Sequence, residues 1–304
     1  MYDKLLRMNL SCDPKEFRIP VSGKKAKPLK LVQLPTAVDK LYKNKKDYLS
    51  LMNSFTEELS DLQRILYAHG RYSLLLIFQG MDTAGKDGAI RHVMSGVNPQ
   101  GCQVHSFKQP SSEELAHDFL WRTTKRLPMR GHIGIFNRSY YEEVLIVKAV
   151  PGVLAGQPLP EGYTEQAHFW PERYRDIVQF EDYLHRNGTR ILKFFLHLSK
   201  EEQRKRLLSR AEEADKHWKI SSADLKSRAQ WDDFQRVYGE CLQHTSHALA
   251  PWYSIPADDK RNARLIISHI LVEALRSLPM SYPEPDEKHL VEVERVREAL
   301  KNEG

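Results

Sequence analysis

Between residues 72 and 79 the chain reads YSLLLIFQ, an apolar run with no alternation of faces. A strand buried on both sides has that signature, because neither face meets water. Four further runs of strand length follow: CQVHSF (102–107), HIGIFN (132–137), RILKFFLHL (190–198) and, more weakly, WYSIPA (252–257). Between them apolar residues fall at helical spacing, at about 86–97, 113–125, 139–148, 165–187, 199–214, 222–248 and 260–277. Strands alternating with helices predict an α/β fold with a parallel five-stranded sheet covered on both faces. Ahead of the first strand, Tyr48, Met52, Phe55, Leu59, Leu62 and Leu66 recur at spacings of four and three, one stripe of a long helix that Gly70 ends. Such a stripe is a packing face or a dimer face.

The pattern thins at both ends. Residues 1–38 carry the Pro- and Lys-rich stretch PVSGKKAKPLKLVQLP and read as an extended arm ahead of one domain at 39–280. Residues 281–304 read as a tail with a charged amphipathic helix. No run reaches the ~20 apolar residues of a membrane helix, and the first residues lack the apolar core of a signal peptide. A cytoplasmic protein is expected. Cys12, Cys102 and Cys241 lie far apart and outside any C-x-x-C spacing, so they form neither a disulfide framework nor a zinc site. The net charge of +6 and pI near 9.0 imply an anionic partner without choosing among nucleic acid, membrane headgroups and polyanionic small molecules.

The first strand runs into GMDTAGKDG. Gly80, Gly85 and Lys86 match the phosphate-loop pattern G-x-x-x-x-G-K, in the strand–loop–helix context that the pattern requires. There, backbone N–H groups at a helix N-terminus point at the anion, glycine lets the backbone approach, and the lysine adds a mobile charge. Gly80, Ala84, Gly85, Lys86, Asp87 and Gly88 are the expected phosphate-binding positions. The usual Ser or Thr after the lysine is Asp87, and a second carboxylate, Asp82, sits inside the loop. The third strand ends in Asn137, where such enzymes place an acid that positions magnesium. An amide cannot compensate a divalent cation. Asp82 is therefore the expected metal ligand, with Glu142 a possible second acid; Mg²⁺, or Mn²⁺ in its place, suits one or two carboxylates completed by water and phosphates. Asp87 is read as a helix-dipole residue or a partner of the metal shell. Arg138 would brace a transferring phosphoryl group, although Arg138 and Glu142 also fit a plain surface ion pair. The basic run at 200–228, including Lys200, Arg204, Lys205, Arg206, Arg210, Lys216, Lys219, Lys226 and Arg228, reads either as a solvated face or as a helical lid at about 200–232. Arg122, Lys125, Arg126, Arg130 and Lys148 flank the third strand, and of these Arg122, Arg130 and Lys148, with Lys219, are expected to guide a polyanion.

GMDTAGKDG, SGVNPQG, FNRSYYEE, HWKIS with DLKSRAQWDDF, and APWYSIPADDKRNAR resemble, in that order, blocks of the polyphosphate kinase 2 family, over roughly residues 40–280. The resemblance implies a P-loop kinase three-layer sandwich with a helical lid, and magnesium-assisted phosphoryl transfer between inorganic polyphosphate and the purine nucleotides AMP, ADP and ATP. It assigns catalytic roles to Asp82, Lys86, Asn137, Arg138 and Glu142. Many members carry Asp at the position of Asn137 and Asn at that of Glu142. FNRSYYEE is similar to the class III branch, whose members accept nucleoside mono- and diphosphates. A homo-oligomer, dimer or tetramer, is expected, with neither nucleic acid nor membrane as partner. Three rivals stand beside this reading: an ATP-dependent nucleotide or nucleoside kinase on the same core, a nucleic-acid-binding P-loop protein, and a non-catalytic scaffold built on the stripe at 48–66. The second lacks any groove-reading or RNA-binding signature, and the third leaves the carboxylates of the loop unexplained.

Overall fold

The fold is taken from a computed structural model, which describes residues 10, 12–21, 27–150 and 152–303. The five apolar runs form one parallel sheet: β1 (Ser73–Gln79), β2 (Cys102–Ser106), β3 (Ile133–Asn137), β4 (Thr189–His197) and β5 (Trp252–Pro256), in the order β2-β3-β1-β4-β5. β1 is central and every one of its residues is buried, which explains the unbroken apolar run. Leu74, Leu76 and Phe78 face one layer, where α1 (Lys45–His69), α2 (Lys86–Val93) and α10 (Lys260–Arg276) pack. Leu75 and Ile77 face the other, built from α6 (Phe169–Arg186), α9 (Trp231–Thr245) and the turn Tyr140–Glu143. The period-two alternation of a strand thus feeds two cores, one per face.

The stripe from Tyr48 to Leu66 is buried against α10 and the sheet, so it is a packing face. Asn44 caps the start of α1 by accepting from the Asp47 amide at 3.0 Å, and Gly70, at φ 63°, closes it with a bond from its N–H to the Leu66 carbonyl.

Three expected helices are shorter or broken. The segment 113–125 holds only α3 (Ser112–Leu115) and α4 (Trp121–Thr124), and 139–148 holds a 3-10 turn and α5 (Ile146–Ala149). The stretch expected to form a lid begins with α7 (Lys200–Glu212) and passes through the 3-10 turn Ala214–Lys219 to α8 (Ser222–Ala229). The helix expected over 222–248 is interrupted at Gln230, which leaves helical geometry at φ −91°, ψ 22° between α8 and α9.

The arm is not suspended in solvent where it is described. Ile19 donates to the Trp252 carbonyl at 2.8 Å and Arg18 bridges Tyr253, covering the outer edge of β5. Phe17, Ile19 and Leu31 are buried. At the other end α11 (Glu287–Lys301) is exposed at every position. Among the described residues no helix is long and apolar enough to cross a membrane.

Candidate active site

β1 and β3 lie side by side, yet their onward connections leave over opposite faces: α2 packs in one layer and α6 in the other. Such a switch point opens a crevice at the carboxyl ends of the two strands. The loop 80–85 and the pair Asn137–Arg138 line that crevice.

The loop needs its glycines. Gly80 has φ 152°, and a Cβ there would stand 2.9 Å from the Leu196 carbonyl oxygen and 3.1 Å from the Ala84 Cβ. Gly85 sits at φ 100° and begins α2. Gly88 carries no such constraint, since its Cβ would meet only Arg264 at 3.8 Å. Two non-glycine residues also adopt left-handed backbone, Thr83 at φ 66° in the loop and Arg138 at φ 63° after β3. Strained backbone of this kind persists only where the surroundings over-determine it, and it concentrates at functional sites.

Lys86 is buried and folds back over the loop, its Nζ donating to the Gly80 carbonyl at 2.7 Å and the Met81 carbonyl at 3.4 Å. Burial, then the neighbouring Arg138, lower its pKa to about 8, against the pull of Asp82, Glu142 and Asp87. Arg138 reaches Asp82 at 3.2 Å with one nitrogen and Glu142 at 3.6 Å with the other. Burial raises the Glu142 pKa, opposed by Arg138 and Lys86. Its side chain is only 12% exposed, so the surface-pair reading of Arg138 and Glu142 does not describe it. Asn137 donates its amide to the Asp87 carboxylate. Asp82, Lys86, Asp87, Asn137, Arg138 and Glu142 thus meet in one crevice, with two cations against three carboxylates. Asp82, 32% exposed, opens to solvent.

Of the cations expected to guide a polyanion, Arg130 is the one placed far from the loop. Arg130 precedes β3, and its neighbour Gly131 donates to Tyr72, which precedes β1. It therefore lies at the amino end of the sheet, the length of β1 away from the loop, roughly 23 Å at ~3.3 Å per residue. This corrects the expectation for Arg130: in a parallel sheet, residues ahead of a strand face away from the crevice. Arg122 is buried, with bonds to the Lys108 carbonyl (2.7 Å) and Glu143 (3.4 Å). Lys148 pairs with Glu240 and the Tyr174 hydroxyl, against the Trp170 ring. Neither is brought to the loop by any of these contacts. Lys219 belongs to the lid turn, and its side chain lies outside the described residues. In the lid, Arg206 and Arg228 turn inward, Arg204 and Lys216 pair with Glu201 and Glu213, and Lys205 and Lys226 are exposed.

Behind the turn is a buried ionic network that spacing did not reveal. Tyr140 and Tyr141 both donate to Glu181 at 2.8 Å, and Glu181 also receives Lys193 (2.6 Å) and His247 (2.9 Å). Glu181 and Lys193 are fully buried, so each charge depends on the other to offset its desolvation. The network anchors the turn that follows Arg138 to α6, β4 and the end of α9. Lys193 interrupts an otherwise apolar strand, and that was the one available signal.

Magnesium fits the donors present. No group of three or more His, Cys, Asp or Glu side chains is placed to hold a metal among the described residues. Asp82, however, is solvent-open beside the loop, and magnesium needs few protein carboxylates when phosphates and water complete its shell.

The chain is similar to known proteins over most of its length. A model of the polyphosphate kinase 2 family matches residues 42–282. The chain is 55% identical over 286 residues to an ADP-polyphosphate phosphotransferase from Rhodopseudomonas palustris, covering 94% of this chain and 98% of that one. It is 44% identical over 238 residues to an AMP/ADP-polyphosphate phosphotransferase from Meiothermus ruber, covering 78% and 85%. The crystal structure of polyphosphate kinase 2 from Arthrobacter aurescens TC1 superposes with a TM-score of 0.83 at 37% identity, over 95% of this chain and 98% of that one. The chain belongs to the polyphosphate kinase 2 family.

Proposed function

We propose that the protein transfers the terminal phosphoryl group of inorganic polyphosphate to nucleoside mono- and diphosphates, AMP to ADP and ADP to ATP, reversibly, as in the class III branch. The observation that carries this reading is the crevice between β1 and β3, where a phosphate loop with an internal carboxylate faces Arg138 and Glu142. The relatives named for transfer between polyphosphate and ADP or AMP support the substrates.

In the reaction a terminal phosphate oxygen of the acceptor forms a bond to the terminal phosphorus of polyphosphate. The bridging P–O bond on its far side breaks, and the shortened chain leaves with that oxygen's charge. No protein nucleophile is required. Loop amides and the Lys86 ammonium hold the phosphates, and Arg138 offsets charge on the transferring group with its planar fork. Asp82 would hold magnesium, which would supply positive charge to offset that of the phosphates. Asn137 keeps the Asp87 carboxylate in place at the start of α2. An ATP-dependent kinase on the same core is the remaining rival, and donor preference separates the two.

The test is incubation with magnesium, long-chain polyphosphate and either AMP or ADP, following nucleotide products, with ATP as an alternative donor in a parallel reaction. ADP formed from AMP and ATP formed from ADP, with polyphosphate consumed, are expected. Transfer from ATP alone would refute the reading.

A further inference from the structure

The carbonyls of the phosphate loop are all engaged. Lys86 Nζ holds those of Gly80 and Met81, and Met81 also receives the Ala84 amide. The next three belong to α7. Gln203 Nε2 donates to the Asp82 carbonyl at 3.3 Å, and Arg206 Nη1 to those of Thr83 and Ala84 at 3.1 and 3.2 Å. Gln203 and Arg206 stand three apart on one face of the helix, at 0% and 7% exposure. Arg206 Nη2 continues to the Ala257 and Asp258 carbonyls at 2.6 and 3.1 Å, and Nε to Glu202 at 2.9 Å. All three guanidinium nitrogens are therefore committed within the protein.

We propose that Gln203 and Arg206 are positioning residues that preset the phosphate loop for anion binding. Within a planar trans peptide the C=O and the next N–H point in opposite directions. Holding the carbonyls of Asp82 and Ala84 toward α7 turns the amides of Thr83 and Gly85 away from it, as a loop that offers N–H groups to phosphate requires. The same bonds fix Thr83 in its left-handed conformation at φ 66°. Arg228 of α8 buttresses the arrangement by donating to Gln203 Oε1 at 3.0 Å and to the Lys200 carbonyl at 2.7 Å. Lid and loop are thereby one hydrogen-bonded unit, and Arg206 acts through its geometry instead of lending charge to the ligand. The assignment rests on residues 80–88 being a phosphate site.

Three full-length variants test it: Arg206→Lys, Arg206→Met and Gln203→Glu. For each, inorganic triphosphate binding is measured by calorimetry, kcat and KM with ADP and polyphosphate by product formation, and stability by thermal melting. Both Arg206 variants are expected to lose about tenfold or more in triphosphate affinity and on the order of 100-fold in kcat. KM for ADP should stay within about twofold, so that kcat/KM for ADP falls with kcat. Gln203→Glu keeps an acceptor for Arg228 but faces the Asp82 carbonyl with another acceptor in a buried position, so it should melt below the parent and lose triphosphate affinity per folded molecule similarly. Parental affinity in Arg206→Lys with weak binding in Arg206→Met would show that charge, not geometry, matters, and overturn the proposal. Parental affinity and kcat per folded molecule in all three, whatever the melting temperatures, would overturn it as well. If the Arg206 variants do not fold, Gln203→Glu decides by the same two values. A parent that binds triphosphate yet transfers nothing would refute the function proposed above, and the binding measurements alone would then decide the role of the loop.

Discussion

Asp82 and Glu142 share one cation, Arg138, and differ in everything else: Asp82 opens to solvent while Glu142 is mostly enclosed. Asp82→Asn removes a charge at constant size. It should abolish transfer without lowering the melting temperature by more than a few degrees; near-normal turnover with unchanged magnesium dependence would move the metal elsewhere. Lys86 gives a pH dependence. The unfolded chain keeps this proton to an ordinary 10.5, the free folded site only to about 8. Between those values the unfolded state binds more protons, so the stability cost of a buried ammonium fades as pH rises. Phosphate binding has the opposite sign, because an anion beside Nζ favours the charged form. Above pH about 8, triphosphate binding should take up a proton and weaken with rising pH. Calorimetry in buffers of different ionisation enthalpy reads that uptake, and its absence in the parent would mean that Lys86 does not titrate on binding. Glu142→Asn should change the ratio of kcat/KM for AMP to that for ADP, since a carboxylate beside the crevice repels or, through metal, attracts the acceptor's extra phosphate. Because Glu142 is enclosed, the substitution also costs stability, but the ratio is insensitive to the folded fraction. Equal change for both acceptors would leave Glu142 a structural residue.

At the scale of elements, the inner strands were legible because a parallel sheet buries both faces and writes apolar runs, whereas β2, half-exposed at the sheet edge, was legible mainly from its length and its place in the alternation. The helix breaks were not. Nothing like Gly or Pro marks Gln230, and the interruption there follows from packing: α8 is capped by Ser221 and Asp224 and ends half-exposed, whereas Trp231 begins a helix buried on the sheet. In 113–125 the carboxylate of Asp118 bonds the Leu120 amide at 2.9 Å and interrupts the helix with a turn. Candidate residues on the loop and the β3 exit could be read from spacing because strand, loop and helix fix their direction. Cations on helices could not, since spacing does not say which face turns inward; Arg122, Lys148, Arg206 and Arg228 are all engaged within the protein. The lid's contribution to polyanion capture should accordingly come from exposed residues such as Lys205 and Lys226. Exposed charges are screened as the Debye length falls from ~10 Å at 0.1 M to ~3 Å at 1 M salt. Added salt should raise KM for long polyphosphate more than KM for AMP, and Lys205→Ala with Lys226→Ala should flatten that difference. Equal salt sensitivity for both substrates would remove the lid surface as a polyanion track.

For the whole molecule, the arm connects the far edge of the sheet to the crevice. Leu29 donates to Gln243 at 2.8 Å, Gln243 donates to the Lys27 carbonyl at 3.0 Å, and Leu31 is buried beside α9. Further along, Thr36 bonds Asp258 through both its hydroxyl, at 2.9 Å, and its carbonyl, at 3.0 Å. Asp258 in turn accepts from the Ser199 amide at 2.8 Å, at the start of α7, and its carbonyl receives Arg206. The arm thus bears on the same helix that grips the phosphate loop. Its approach to α9 depends on Gly239: a Cβ there would stand 2.4 Å from the Leu29 carbonyl oxygen, too close for any real contact, and the obstacle is backbone. Gly239 is helical, so alanine would gain about 0.5–1 kcal/mol of intrinsic preference. Displacing a packed backbone costs typically ~1–3 kcal/mol, and the clash should win. Gly239→Ala is therefore expected to lower the melting temperature and to expose the arm to limited proteolysis, with a smaller loss of kcat transmitted through Asp258 and α7. A variant that melts at or above the parent, with the arm equally protected, would show that the arm is not seated on α9 in solution and that its link to the crevice carries no weight.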